Sequence, residues 1–201
     1  MNKIITISRE FGSDGRELGR CLAQQLHFAY YDQEIIHEIS HRTELSENYI
    51  QHITESRPSF VFPIHTGRSF LLLNNPVWQQ NQLIFKEQCD IIREAAERSS
   101  CIIVGRCADY ILRDRQPFRI FVYADMETKL HRCRQRESEE YTTLNDKELQ
   151  RKIKEIDRSR SRYYEFFTEQ KWSDRMNYDF CVNTTHTTVQ ELAPALAKLF
   201  I

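Results

Sequence analysis

A loop with two glycines stands between a short apolar strand and an amphipathic helix near the start of the chain, and it constrains the fold more than any other stretch. The stretch is ISREFGSDGRELGR, at positions 7–20. A short apolar run that contains Ile4, Ile5 and Ile7 precedes the loop glycines Gly12 and Gly15. Leu18, Leu22 and Leu26 then recur every four residues, which is the spacing of one helix face. Backbone amides in such a loop at a helix start form an anion site. The stretch therefore predicts a strand, a phosphate-binding loop and a helix.

The loop lacks the lysine of the usual phosphate-binding pattern, G-x-x-x-x-G-K-[ST]. In that pattern the lysine reaches the outer phosphates and the hydroxyl holds Mg²⁺. In this chain Arg16 must replace the lysine, and Ser13 or a carboxylate must help to hold the metal. A plain strand-to-helix turn is the alternative interpretation. The residues predicted to bind the phosphates of ATP are Gly12, Ser13, Asp14, Gly15, Arg16 and Glu17.

Strands and helices alternate along the rest of the chain. Apolar runs predict further strands, and longer periodic stretches predict helices, the two longest at about 77–99 and 145–168. Thr187-x-x-Gln190 fits a capping box for a closing helix that runs through Leu199. This alternation predicts an α/β fold with a mostly parallel sheet, helices on both faces, and ligands beyond the carboxyl ends of the strands. The predicted strands after the first are 28–31, 101–104, 119–123 and 180–182.

Arginines at two further places suit a phosphate-handling site. Arg106 directly follows the apolar run CIIV, which places a planar guanidinium at the rim of the sheet where substrates bind. Arg158, Arg160 and Arg162 belong to a basic helical region of the kind that closes over a transferring phosphoryl group. A surface ion pair for Arg106 and a solvated helix face for the others are the alternatives.

The composition limits the class of protein. A chain of 201 residues with a formal net charge of -1 is the size of one domain and is not a general nucleic-acid binder. It contains no apolar stretch of membrane-spanning length and no secretory signal, so we expect a cytoplasmic protein that acts on neither membranes nor nucleic acids. Its six cysteines are widely spaced without a CxxC pair, which predicts reduced thiols. The oligomeric state is left open.

One motif favours different chemistry. His37-Glu38-Ile39-Ser40-His41 matches H-E-x-x-H, which on a helix places two imidazoles on one face for Zn²⁺ with the glutamate as a base. The extended form of this motif, H-E-x-x-H-x-x-G-x-x-H, is absent. A zinc hydrolase is therefore a remote alternative function.

The residues resemble those of the cytidylate kinase-like proteins, a divergent branch of the phosphate-loop nucleoside monophosphate kinases. The resemblance runs nearly end to end and is carried by ITISREFGSDGRELGR, YYDQEII, IIVGRCADYIL, RIFVYADMETKLHRCRQRE, IDRSRSRYYEFFT, WSDRMNYD and FCVNTT. It implies a single domain over 1–201 with the three-layer phosphate-loop kinase fold, a five-stranded parallel sheet with helices on both faces. It also implies a substrate-binding insert at about 38–75 and a lid at about 145–175.

The activity implied by the resemblance is transfer of the γ-phosphoryl group from ATP, with Mg²⁺ carried by the nucleotide, to a nucleoside monophosphate such as CMP or dCMP or to a related small acceptor. Asp32 and Arg106 match the substrate-binding positions, and Arg16 joins the lid arginines as the catalytic set. Glu38 stands where the family usually has an arginine, and Glu17 where it has the metal-binding hydroxyl. A module that binds nucleotides without catalysis is the alternative.

We expect the purified protein to contain no stoichiometric zinc, because H-E-x-x-H lacks its third ligand. His37→Ala should leave phosphoryl transfer nearly intact. Elemental analysis checks the first point. One zinc per chain in the wild type, lost in His37→Ala, would revive the hydrolase.

Overall fold

Five parallel strands form a single sheet in the computed structural model, which describes residues 2–55, 76–135 and 139–200. Their order is β2-β3-β1-β4-β5, with β1 in the centre. This confirms the predicted α/β fold with a five-stranded parallel sheet. The strands are β1 (Ile4–Arg9), β2 (Ala29–Tyr31), β3 (Cys101–Val104), β4 (Phe118–Tyr123) and β5 (Phe180–Asn183).

Helices connect the strands and cover both faces of the sheet. In the described part of the chain, two 3₁₀ turns, Arg113–Arg115 and Arg175–Asn177, also lie among the connections. The helices are α1 (Gly15–Leu26), α2 (Gln33–Thr43), α3 (Glu47–Glu55), α4 (Pro76–Arg98), α5 (Ala108–Ile111), α6 (Met126–Gln135), α7 (Glu139–Thr142), α8 (Asp146–Thr168) and α9 (Val189–Ala197).

The two faces of the sheet bury alternate residues of each central strand. In β3, Ile102 and Val104 pack with α1 and α9, whereas Cys101 and Ile103 pack on the other side with α2, α4 and α8. All six residues of β1 are buried, which is the pattern of a strand covered on both faces. Because all the strands are parallel, the loops that follow them meet at one edge of the sheet, where β1 ends at Arg9.

Several sequence predictions differ from the structure in detail. The capping box of α9 is formed by Thr188 and Glu191, not by Thr187 and Gln190, and the helix ends at Ala197 before Leu199. The Thr188 side chain accepts the amide of Glu191, whose carboxylate accepts the amide of Thr188. The predicted capping box therefore had the correct spacing of three residues, but it was placed one residue too early in the chain.

The predicted insert and lid are only partly within the described residues. The insert at 38–75 includes the end of α2, all of α3 and the link between them. Residues 56–75 lie outside the described residues, and with them most of the predicted irregular stretch 58–76. The lid at 145–175 consists mainly of α8, which Asn145 caps by accepting the amide of Glu148. That these regions act as an insert and a lid remains a prediction.

No helix within the described ranges combines the length and apolar character needed to cross a membrane.

Leu22→Ala should lower the free energy of unfolding by about 2–5 kcal/mol, because the side chain is fully buried between α1 and the sheet. Leu199→Ala makes the same chemical change at an exposed position and should alter the free energy of unfolding by less than about 0.5 kcal/mol. Denaturant titration of both variants measures the difference. Equal losses would contradict the assigned core.

Candidate functional site

The loop between β1 and α1 has the backbone geometry of an anion site. Gly12 has a φ of 76° and Asp14 a φ of 58°, both in the left-handed region. Asp14 makes no side-chain cap for α1, so its side chain leaves the first-turn amides of this 12-residue helix available to a ligand. Ser13 is fully buried, and its hydroxyl donates to the carbonyl of Glu10 at 2.8 Å. The Ser13 hydroxyl thus holds the loop in shape.

Helix α6 and the loop after β5 hold the part of this loop that contains Ser13 and Asp14. The Arg132 guanidinium pairs with Asp14 at 2.7 Å and donates to both the hydroxyl and the carbonyl of Thr184. The Thr184 hydroxyl in turn donates to the carbonyl of Ser13 at 2.9 Å. The conformation of the loop therefore depends on tertiary contacts as well as on its glycines.

A network of ion pairs around the buried Lys129 joins the start of the loop, at Glu10 and Phe11, to α6 and α8. Lys129 is buried, and its ammonium lies 2.6 Å from Glu10 and 3.2 Å from Asp157. The second carboxylate oxygen of Asp157 accepts the backbone amide of Phe11 at 2.6 Å. Since Asp157 lies on α8, the helix of the predicted lid is joined directly to the loop between β1 and α1.

A glycine is required at position 15 because a side chain there would overlap Arg9, and not because the backbone has a positive φ. Its backbone is outside the left-handed region, contrary to the expectation for a loop glycine, because it is already the first residue of α1. A β-carbon at Gly15 would overlap Cβ of Arg9 and lie 3.3 Å from Cβ of Val122. The glycine therefore lets the end of β1 approach the helix start.

Arg9 is the centre of the charged cluster at this edge of the sheet. It is only 8% exposed, and Asp32, which follows β2, is only 4% exposed. One oxygen of Asp32 lies 3.8 Å from the Arg9 guanidinium, and the other lies 2.7 Å from Arg16. Burial, with the like charge of Arg160 next in importance, lowers the pKa of Arg9 to about 9, so Arg9 is cationic at neutral pH.

Arg106 enters the same cluster from the end of β3. Gly105, Arg106 and Cys107 all have φ values between 54° and 74°, and left-handed backbone at the two non-glycine residues costs about 1–3 kcal/mol each. The turn is held by Gln88, which donates to the carbonyl of Arg106 at 2.9 Å, and by Thr54, which accepts from the Arg106 guanidinium. Such strain is typical of functional sites.

Of the three predicted lid arginines, the structure brings only Arg160 to the site. Its side chain is 12% exposed, donates to the carbonyl of Arg9 at 3.4 Å and lies over the ring of Phe11. Arg158 and Arg162 are exposed. Successive residues of a helix are 100° apart, so positions 158 and 162 share one face while position 160 lies on the opposite one. The alternating pattern of arginines therefore cannot place all three at one site.

Two adjoining cavities use these side chains. We define the loop cavity by Glu10, Phe11, Gly12, Asp14, Gly15 and Arg16, and the rim cavity by Ser8, Thr54, Arg106, Cys107, Tyr163, Tyr164 and Trp172. Arg9 and Arg160 line both cavities. The arrangement offers one anion position against backbone amides and a second against arginines, with two guanidiniums between them.

The residues of H-E-x-x-H lie elsewhere. His37 and His41 are on α2, and Nδ1 of His37 is 2.8 Å from a carboxylate oxygen of Glu47. Within the part of the chain that the structure describes, no group of three or more histidine, cysteine, aspartate or glutamate side chains is placed to hold a metal ion. Glu38 pairs with Arg42 at 2.9 Å and lines a separate cleft between α2 and α4.

Sequence reasoning missed Arg9, Lys129 and Asp157. The signal for Arg9 was present, since it is the last residue of an apolar strand and directly precedes the glycine loop. Lys129 and Asp157 carry no comparable local signal, because they meet the loop only through the packing of α6 and α8.

Solved structures share this architecture. An uncharacterized protein from Eubacterium ventriosum ATCC 27560 has a TM-score of 0.70 and 26% identity, over 98% of this chain and 97% of that chain. Shikimate kinase from Bacteroides thetaiotaomicron has a TM-score of 0.59 and 13% identity, over 100% and 99%. Shikimate kinase from Acinetobacter baumannii in complex with shikimate has a TM-score of 0.56 and 14% identity, over 100% and 93%. The likeness to the two shikimate kinases is one of fold alone.

The fold, with the glycine loop after its first strand, is the phosphate-loop kinase-like fold. No curated protein is significantly similar to the chain in sequence. The model of the cytidylate kinase-like family matches residues 4–186, and the chain belongs to this family.

Gly15→Val should abolish phosphate binding in the loop, because the branched side chain overlaps Arg9 and displaces it together with the helix start. Gly19→Ala is the matched control: a β-carbon there meets Val104 and Ile7, away from the loop. It should reduce stability without reducing affinity. Calorimetry with ATP·Mg²⁺ on both variants tests the site, and equal affinities in Gly15→Val and wild type would show that the stretch is only a turn.

Proposed function

We propose that the protein transfers the γ-phosphoryl group of ATP to a nucleoside monophosphate of the CMP or dCMP type. The observation that carries this proposal is the pair of adjoining cavities that share Arg9 and Arg160. Phosphoryl transfer requires a donor site and an acceptor site in line, with positive charge around the group that moves. Membership of the cytidylate kinase-like family supports the same reaction class.

The loop cavity takes the donor phosphates. The backbone amides of Gly12 to Gly15 and the N-terminus of α1 provide the anion site. The carboxylates of Glu10 and Asp14 line this cavity, each beside the cation it pairs with, Lys129 and Arg132 respectively, and carboxylate oxygen is the ligand that Mg²⁺ prefers. These two residues would hold the ion that arrives with the nucleotide. When bound, Mg²⁺ neutralises charge on the phosphates.

The rim cavity takes the acceptor. Arg106 and Arg160 supply guanidiniums that suit a phosphate, and the Trp172 ring gives an apolar wall. Glu38, the residue that departs from the family pattern, does not line this cavity and is neutralised by Arg42. A carboxylate at position 38 therefore does not oppose an acceptor phosphate bound here.

The reaction needs positioning and charge, and no covalent enzyme intermediate. An oxygen of the acceptor phosphate bonds to the γ-phosphorus while the bond from that phosphorus to the bridging oxygen breaks, and ADP leaves. Arg160 is placed to hold both reactants, since it lies between the cavities. Asp32 orients Arg9 and Arg16 through its two oxygens.

A coupled assay of ADP formation against a panel of nucleoside monophosphates, with and without Mg²⁺, tests the proposal. We expect Mg²⁺-dependent turnover that is highest with a cytidine nucleotide. ATP binding without turnover on any acceptor would favour a nucleotide-binding module with the same fold.

Arg160→Ala should lower kcat roughly a hundred-fold, because it removes a guanidinium from between the reactants. Arg151→Ala removes an exposed arginine from the same helix and should leave kcat unchanged. Steady-state kinetics on both variants give the comparison. Equal kcat values for the two would remove Arg160 from the mechanism.

A further inference from the structure

We propose that Arg9 at the end of β1, and not Arg16, gives the transferred phosphoryl group the positive charge that a loop lysine gives in other phosphate-loop proteins. This inference rests on the proposed phosphoryl transfer and assigns a catalytic residue to it. The usual lysine follows the last loop glycine and reaches the outer phosphates from the helix start. In this chain the guanidinium comes from the strand that precedes the loop.

The position of Arg9 supports this role. Arg9 is the last residue of the central strand, and its side chain lines both the loop cavity and the rim cavity. The phosphoryl group must pass between a donor in the first and an acceptor in the second. Arg16 lines the loop cavity only.

Two glycines make room for Arg9. A β-carbon at Gly15 would overlap Cβ of Arg9, and a β-carbon at Gly105 would overlap Nη1 of its guanidinium. These glycines belong to different loops, one after β1 and one after β3, and both leave space for the same side chain. The two glycines thus leave room for Arg9 at both its Cβ and its guanidinium.

The charges around Arg9 point to a bound anion. Arg160, Arg16 and Arg106 are all close enough to lower its pKa. Among the described residues, Asp32 lies 3.8 Å from Arg9 and 2.7 Å from Arg16, and Asp157 lies 3.9 Å from Arg160, so four guanidiniums face two carboxylates. Nε of Arg9 is buried and has no hydrogen-bond partner within the described residues. An unsatisfied buried donor is costly, and a phosphate oxygen would satisfy it.

Arg16 is engaged differently. Its Nε lies 2.7 Å from Asp32, and its side chain is 43% exposed. A solvated guanidinium already held by a carboxylate stabilises a transition state less than a buried one does. Arg16 therefore acts as a positioning residue that holds Asp32, and through it Arg9.

The test compares wild type with Arg9→Ala, Arg9→Lys and Arg16→Ala. Arg119→Ala is the matched control, because Arg119 is also a strand arginine paired with an aspartate, Asp179, but lies at the opposite edge of the sheet. Affinity for ATP·Mg²⁺ and ADP·Mg²⁺ is measured by calorimetry, and kcat is measured with the best acceptor. The kinetics of Arg9→Ala are repeated with millimolar guanidinium chloride and with methylammonium chloride.

Arg9→Ala should lower kcat roughly a hundred-fold or more, whereas Arg16→Ala should lower it less than about ten-fold. Arg9→Ala should weaken binding of ATP much more than binding of ADP, because the lost contact is to the γ-phosphate. Guanidinium should restore part of the activity of Arg9→Ala, and methylammonium should not. A residue with only a structural role would show neither the selective loss for ATP nor the rescue.

A kcat for Arg9→Ala equal to that of Arg119→Ala, or a larger loss in Arg16→Ala than in Arg9→Ala, would overturn the role of Arg9 while leaving the proposed function in place. A wild type that binds no ATP at millimolar concentration would overturn both. If Arg9→Ala does not fold, Arg9→Lys, which keeps the charge beside Asp32, decides by the same comparison of kcat. Thermal unfolding of each variant establishes that it is folded.

Discussion

The burial of the Arg9 guanidinium at the carboxyl end of the central strand is the constraint on which the rest of the site depends. Removing a charge from water costs several kcal/mol, and the described structure offsets it with one carboxylate at 3.8 Å. Three further arginines converge on the same point from β3, α1 and α8. An excess of buried positive charge is unfavourable in a folded protein without a ligand, and it is suited to binding phosphates.

The glycine loop and the helix of the predicted lid form one connected unit. Asp157 on α8 accepts the amide of Phe11 in the loop and also pairs with the buried Lys129. On the other side Arg132 joins α6 to Asp14. A movement of α8 would therefore act directly on the backbone of the glycine loop, since the carboxylate of Asp157 contacts both that loop and Lys129.

Most of the local structure was predictable because it depends on patterns within a few residues. The apolar run 101–104 was predicted as a strand with the observed bounds. The helical stretch predicted at 145–168 coincides with α8 together with its N-cap residue Asn145. The lid arginines could not be placed from their spacing alone, because the orientation of α8 about its axis is set by packing of Tyr163 and Tyr164 on the core. The position of Arg9 at the end of an apolar strand beside the glycine loop was a visible signal, but the strand alone does not reveal which charges surround its last residue.

The sequence by itself determined the alternation of strands and helices, the glycine loop after the first strand and the family, because hydrophobic period and glycine position act locally. The tertiary structure alone decided which charges meet. The parallel order of the strands brings Arg9, Asp32 and Arg106 to one edge of the sheet, although Arg106 lies 97 positions after Arg9 in the chain. Coulomb interactions depend on distance in space and not along the chain, so only the fold distinguishes the buried Arg9 from the half-exposed Arg16.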